Sequence, residues 1–335
     1  MLKSAIIGTG FIGNAHATAY QNIKNVQLAA IVDVNEEKGK AAAKEFNCKY
    51  YSDAEEMLKN EDVDIVDVCL PTFLHEQYVV LAAKYKKNVI CEKPVTLTLE
   101  SMDNMIQATQ KAGVKFMVAQ VVRFWPEYVK IKEMFDAGAF GDVKMVYANR
   151  IAQHPNWTQW HKNPKNSGGG LFDLHLHDID FLQYLFGDVK SVYAVGKASE
   201  TGCWNHVMTT LKFKDGNAAT AEGIFDMTEN YPFTMTFRIV GESRTVDYSM
   251  VAGFNLEDVA SSKRAAMLYE NGCEPKKLDI EETDAYQIEL QYFADAIEKN
   301  EPIKVVTPEN SRHVVEIMLA IQKSLETGNV VELSK

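Results

Sequence analysis

The sequence predicts an α/β protein of two domains: an amino-terminal doubly wound parallel sheet, then an α+β domain with a large, open, mostly antiparallel sheet. Three observations carry this. The chain has 335 residues, which at roughly 150 residues per domain suggests about two. From Lys3 to about Gln120, short apolar runs alternate with longer helical patterns, the order expected of βαβ units. After about Val122 the apolar period shifts to two, the mark of strands covered on one face. The expected division is 1–121 and 122–335.

The expected strands of the first part are Lys3–Ile7, Gln27–Val32, Ile65–Cys69, Asn88–Cys91 and Lys115–Ala119. All are short and mostly apolar, as strands with helices on both faces must be. The helical stretches between them are Ile12–Ile23, Glu36–Phe46, Phe73–Tyr85 and Leu99–Ala112. Pro126 suits the first turn of a helix that runs to Asp136, before Gly138 and Gly141. In Phe233–Ile239 the residues Phe233, Met235, Phe237 and Ile239 share one face. Asp215-Gly216 is a turn between two such strands. Helices near Ala285–Glu298 and Glu309–Glu326 complete the chain.

Composition narrows the function. Thirty-five Lys plus Arg against 46 Asp plus Glu give a net charge of −11, which opposes nucleic acid or an anionic membrane as partner. The 5 cysteines are scattered without zinc-ligand spacing, so no metal is expected. Neither a secretory leader nor an apolar run of membrane-spanning length is evident. The expectation is a cytoplasmic protein that acts on a small molecule.

Gly8-Thr9-Gly10-Phe11-Ile12-Gly13 follows a strand and opens a helix. The first glycine permits the turn, the second lets a pyrophosphate approach the backbone, and the third lets helix and strand pack. Asp33 stands about 20 residues further on, at the end of the second strand, where a carboxylate accepts from ribose hydroxyls and repels a 2′-phosphate. NAD is therefore favoured over NADP, and flavin finds no further support. In such a sheet, ligands bind beyond the carboxyl ends of the strands. The residues there are Leu70, Pro71, Thr72 and His75, then Glu92-Lys93-Pro94, then Gln120 and Arg123. Lys93 is placed to project an ammonium towards the nicotinamide, or to pair with Glu92 at the surface.

Gly168-Gly169-Gly170 precedes a helical pattern in which Asp173, His177, Asp180 and Tyr184 form one polar stripe. Asp173 can orient His177 one turn away; the alternative is an acid at a helix start beside a structural histidine. His154-Pro155-Asn156-Trp157 to Trp160-His161 is an aromatic loop suited to sugar C–H faces or to ordinary loop packing.

Together these motifs resemble the Gfo/Idh/MocA oxidoreductases over essentially the whole chain. The resemblance implies a Rossmann NAD domain, oxidation of a ring hydroxyl of a sugar, inositol or related polyol, and homodimers or homotetramers formed through the second sheet. It puts the catalytic lysine on Lys93, the orienting aspartate on Asp173 and the base on His177. Pro71, Thr72 and His75 are then expected on the nicotinamide-ribose side. Arg123, Trp160, His161 and His175 join Lys93, Asp173 and His177 as candidate substrate contacts. His175 departs from the family pattern, which commonly has glycine there; core packing, substrate contact and metal ligation are its three readings. Arg123 can equally anchor the domain junction. Two other functions fit the fold: an NAD-dependent glycosidase working by transient oxidation, elimination and hydride return, and a non-enzymatic NAD sensor.

Overall fold

The computed structural model describes residues 1–154, 160–253 and 262–333. The chain forms two compact units, Met1–Trp125 with Thr283–Arg312, and Pro126–Glu282 with His313–Lys335.

The first unit begins β1 (Leu2–Ile7), α1 (Phe11–Gln21), β2 (Val26–Val32), α2 (Glu36–Glu45), β3 (Lys49–Tyr51) and α3 (Ala54–Asn60). It continues β4 (Ile65–Val68), α4 (His75–Lys84), β5 (Asn88–Glu92), α5 (Leu99–Ala112) and β6 (Phe116–Ala119). The strands pair in parallel in the order β3-β2-β1-β4-β5-β6. Every residue of β4 and β6 is buried, which is why these segments read as apolar runs. Caps set the helix limits. Thr98 accepts from the Ser101 N–H at 3.2 Å to start α5, and Gly113 ends it at φ +69°.

The second unit contains α6 (Pro126–Asp136), β7 (Met145–Ile151), α7 (Pro164–Ser167), a π-helical turn (Leu171–His175) and α8 (Leu176–Phe186). Strands β8 (Val189–Ala198), β9 (Trp204–Phe213), β10 (Ala218–Ile224), β11 (Thr234–Val240), β12 (Arg244–Val251), β13 (Lys263–Glu270) and β14 (Lys276–Lys277) follow. After α9 (Ala285–Glu298) and α10 (Pro308–Thr327), β15 (Val331–Glu332) closes the edge. The nine strands are ordered β14-β13-β12-β11-β7-β10-β9-β8-β15. All pairs are antiparallel except β10 with β7. The core of this unit lies between one sheet face and α6 and α8. There Tyr128, Phe181 and Phe237 meet with ring centroids 4.7 to 5.5 Å apart.

The compact units differ from a simple cut at residue 121. The segment Thr283–Arg312 packs with the first unit because α9 lies against α1 and the turn after β6. Tyr286 approaches His16 at 5.5 Å, and Tyr292 approaches Phe124 at 5.4 Å.

Candidate active site

The glycine turn stands at the carboxyl edge of the parallel sheet. Gly8 has φ +102°, and a Cβ there would lie 2.4 Å from the Cys69 carbonyl oxygen. At Gly13 a Cβ would lie 2.0 Å from the Gly8 carbonyl oxygen, so helix and strand approach closely only without it. Gly10, the N-cap of α1, faces open space and offers no capping side chain. The first N–H groups of α1 are thus left for an anion. Asp33 follows β2, and its Oδ2 accepts from both the N–H and the hydroxyl of Thr9, while Oδ1 accepts from the Asn35 N–H at 2.8 Å. These bonds fix the carboxylate beside the turn. Cradle, helix start and acid fit NAD; Phe11 is exposed and Ile12 half-buried on the same turn.

Further along that edge, several of the expected ligand contacts are also bonded into the fold. Leu70 and Pro71 are half-buried at the end of β4, but the side chains of Thr72 and Gln120 are buried. His75 is fully buried. Its Nε2 lies 2.7 Å from the Leu70 carbonyl oxygen and its Nδ1 3.1 Å from that of Val95. Burial lowers its pKa. His75 therefore ties the loop after β4 to the segment after β5. Glu92 is likewise buried: its Oε1 contacts His16 Nε2 at 3.1 Å and its Oε2 accepts from the Lys93 N–H at 2.9 Å. Lys93, half-buried, leaves the sheet immediately after β5, and the Lys93–Pro94 peptide is cis. For Arg123 the geometry matches the anchoring reading. The residue is 2% exposed, and Nη1 donates to the Val305 carbonyl at 2.7 Å, which anchors the 283–312 segment.

In the second unit, the triple glycine turns the chain into the π-helical turn. Gly168 and Gly169 have φ +73° and +68°. A Cβ at Gly170 would lie 2.6 Å from that of Phe225. From Leu171 to Phe186 every residue is buried except Asp173, His177 and Tyr184. The expected polar stripe thus opens at those three positions, while Asp180 is buried. A buried ion pair between Arg150 of β7 and Asp178, 3.1 Å long, pins α8 to the sheet one residue beyond His177. Burial raises the Asp178 pKa, and the Arg150 charge opposes that rise.

His175 points the other way. It is fully buried, its Nε2 lies 2.9 Å from Thr209 Oγ1, and burial lowers its pKa to about 3. Its ring packs so closely on β10 that a Cβ at Gly223 would sit 2.7 Å from Nδ1. Of its three readings, packing is the one the geometry matches: the segment is helical, and position i+2 then leaves the Asp173 face. Trp160 and His161 stack on each other with centroids 3.8 Å apart, which occupies one face of each ring. His154 lies 5.4 Å from the Phe225 ring. Pro155, Asn156 and Trp157 lie outside the described residues.

His16 and Asp67 escaped notice in the sequence. Asp67 was the available signal, a carboxylate in the middle of an otherwise apolar strand. Together with Cys69 they bring metal-ligating atoms within 4.8 Å of one another. The cluster is hydrogen-bonded, with His16 Nδ1 2.9 Å from Asp67 Oδ2 and the Cys69 thiol donating to Asp67 Oδ1 at 3.2 Å. Burial pushes the thiol pKa up, so Cys69 remains a donor.

Comparison with known proteins matches residues 2–120 to an oxidoreductase family with an NAD-binding Rossmann fold, and residues 128–247 to the GFO/IDH/MocA C-terminal domain. A myo-inositol 2-dehydrogenase of Thermotoga maritima is 28% identical over 347 residues, covering 100% of this chain and 99% of the relative. A 2,7-anhydro-N-acetylneuraminate hydratase of Escherichia coli is 29% identical over 242 residues, covering 69% and 64%. The crystal structure of an aldose-aldose oxidoreductase from Caulobacter crescentus, complexed with glycerol, shares the fold with a TM-score of 0.87. It is 24% identical, and the match covers 99% of each chain.

Proposed function

The chain belongs to the Gfo/Idh/MocA oxidoreductase family, and from that premise we propose that it is an NAD-dependent dehydrogenase oxidising a ring hydroxyl of a sugar, inositol or related cyclic polyol. Bound NAD supplies the hydride acceptor. His177 takes the hydroxyl proton, a role typically worth about 10²–10⁴ in rate. Asp173 orients the imidazole, and the Lys93 ammonium stabilises the developing alkoxide, an effect of about 2.7–4 kcal/mol for a well-placed donor. The observation that carries this reading is the exposure pattern of Leu171–Phe186: in a segment otherwise buried, the side chains left accessible include an acid and a histidine one turn apart. The Asp33 carboxylate favours NAD over NADP, which a comparison of the two cofactors in one assay checks. The inositol dehydrogenase among the relatives supports a polyol substrate. Five free cysteines support a reducing, cytoplasmic setting, and no described helix is long and apolar enough to cross a membrane.

A second, redox-neutral reading is favoured by the relative named as a hydratase. In this reading of the chain the hydride leaves and returns, and the net reaction is addition of water, with release of the aglycone where the substrate is a glycoside. Incubation with NAD and a panel of inositols, free sugars, anhydrosugars and aryl glycosides separates the two. NADH formed in proportion to substrate supports the dehydrogenase; product without net NADH supports the redox-neutral path. Tight NAD binding with no turnover of any kind would leave the sensor. Lys93→Met and His177→Ala are each expected to abolish turnover while NAD affinity survives, and full activity in either removes its assigned role.

A further inference from the structure

The proposed chemistry uses Lys93 but not the buried polar cluster beside it. His16 and Asp67 are both 0% exposed, and Glu92 is 4% exposed. His16 Nδ1 is 2.9 Å from Asp67 Oδ2, and Nε2 is 3.1 Å from Glu92 Oε1. The second is an ion-pair contact, not an aligned hydrogen bond. A carboxylate only accepts, so a lone pair on either ring nitrogen would face an oxygen lone pair; the arrangement calls for an imidazolium. Glu92 then has one oxygen turned to His16 and the other bonded to the Lys93 N–H at 2.9 Å.

We propose that His16 is a positioning residue for Lys93: held between Asp67 and Glu92, it fixes the carboxylate that grips the lysine's own backbone N–H, and so sets where the side chain starts. This rests on the catalytic reading of Lys93. The groups around His16 come from each neighbouring element: Tyr20 on α1, Asp67 and Cys69 on and after β4, Glu92 on β5, and Tyr286 on α9, which in turn feels the charge of Glu289. Burial alone would drive the imidazole towards its neutral form, but the Asp67 charge and hydrogen bond reverse this and hold its pKa well above the ordinary value. Without the cation, Glu92 is a buried carboxylate with no counter-charge from His16, and that state is costly. It is relieved by taking a proton or by turning towards the Lys93 ammonium, and either outcome loosens the grip on the N–H.

The test uses the full chain and a readout that needs no turnover. In His16→Ala, and separately in Glu92→Ala, amide hydrogen exchange at Lys93 is expected to quicken by about tenfold or more, the loss of one net hydrogen bond of about 1.4 kcal/mol. The ladder amides of β5 should keep their protection, and NAD affinity by tryptophan fluorescence should be retained. On the best substrate of the panel, kcat is expected to fall by up to about 10²-fold with little change in KM for NAD. The wild-type kcat should decline on the alkaline side as His16 loses its proton, a limb absent from His16→Ala. Unchanged Lys93 exchange in a folded His16→Ala overturns the proposal, whatever Glu92→Ala does. Altered exchange in a protein that turns over nothing upholds the grip on Lys93 and sinks the dehydrogenase reading instead. Should His16→Ala fail to fold, Glu92→Ala and a ¹⁵N-histidine titration decide: a His16 ring neutral near pH 7.5, about one unit above an ordinary histidine, overturns the idea.

Discussion

His16 and His175 are buried to the same degree and answer pH in opposite directions. Burial disfavours the charged form of both, but at His16 the Asp67 charge and hydrogen bond overcome it, whereas beside His175 lies the hydroxyl of Thr209. For His175 the folded pKa, about 3, lies below the ordinary 6.5. The unfolded chain therefore takes up the proton first as pH falls. Its contribution to stability is full above about 6.5 and is lost progressively towards about 3. Urea unfolding of the wild type should thus weaken more steeply between about pH 7 and 4 than that of His175→Gln, and parallel curves for the two proteins would refute the argument. At this scale, Lys93, Asp173 and His177 stand out in the sequence as candidates because each sits at a fixed step from a strand end or helix turn, while their roles are what the family resemblance implies. His16 is not legible. Its two partners arrive from β4 and β5, and nothing in the spacing of α1 announces them.

Among the elements, α5, α6 and α9 lie where the sequence puts them, since caps and a first-turn proline bound them. The strand β3 and helix α3 were not foreseen: three and seven residues are too short for either apolar period to register. The π-helical turn is also invisible to periodicity, because its cause lies in its neighbours. The glycines before it bend the chain, and β10 must admit the His175 ring at Gly223. The interlock is testable as a pair. Gly223→Ala would press a methyl group into a buried imidazole and is expected to cost about 1–3 kcal/mol. Adding His175→Ala should recover part of that loss in a double-mutant cycle. Purely additive losses in urea melts would show that the two side chains do not compete for the same space.

At the level of the whole molecule, the nine-stranded sheet uses one face for its core and leaves the other to solvent. On the open face Val195 lies directly across from Met208, with Tyr193 two residues along β8. Met145, Val251 and Tyr269 share that face by register, and all six are 40–50% exposed. We propose that a second copy of the chain covers it, as the family resemblance implies; a two-fold pairing is self-complementary and closes. Light scattering should find a dimer or tetramer in the wild type and a folded monomer in Val195→Asp/Met208→Asp. A wild type that stays monomeric at micromolar concentration rules this out. The net charge of −11 argued against polyanionic partners but could not point to this face, since register, not composition, gathers those residues.

The return of Thr283–Arg312 to the first unit bears on how the protein is made. An emerging chain has all six strands of the parallel sheet once residue 119 is available, yet the tyrosine that packs on His16 and the carbonyl that receives Arg123 lie beyond residue 282. Until those residues leave the ribosome, the first sheet waits with a buried ion cluster uncovered. A fragment cut at Trp125 would hold every strand of that sheet and still lack part of its interior.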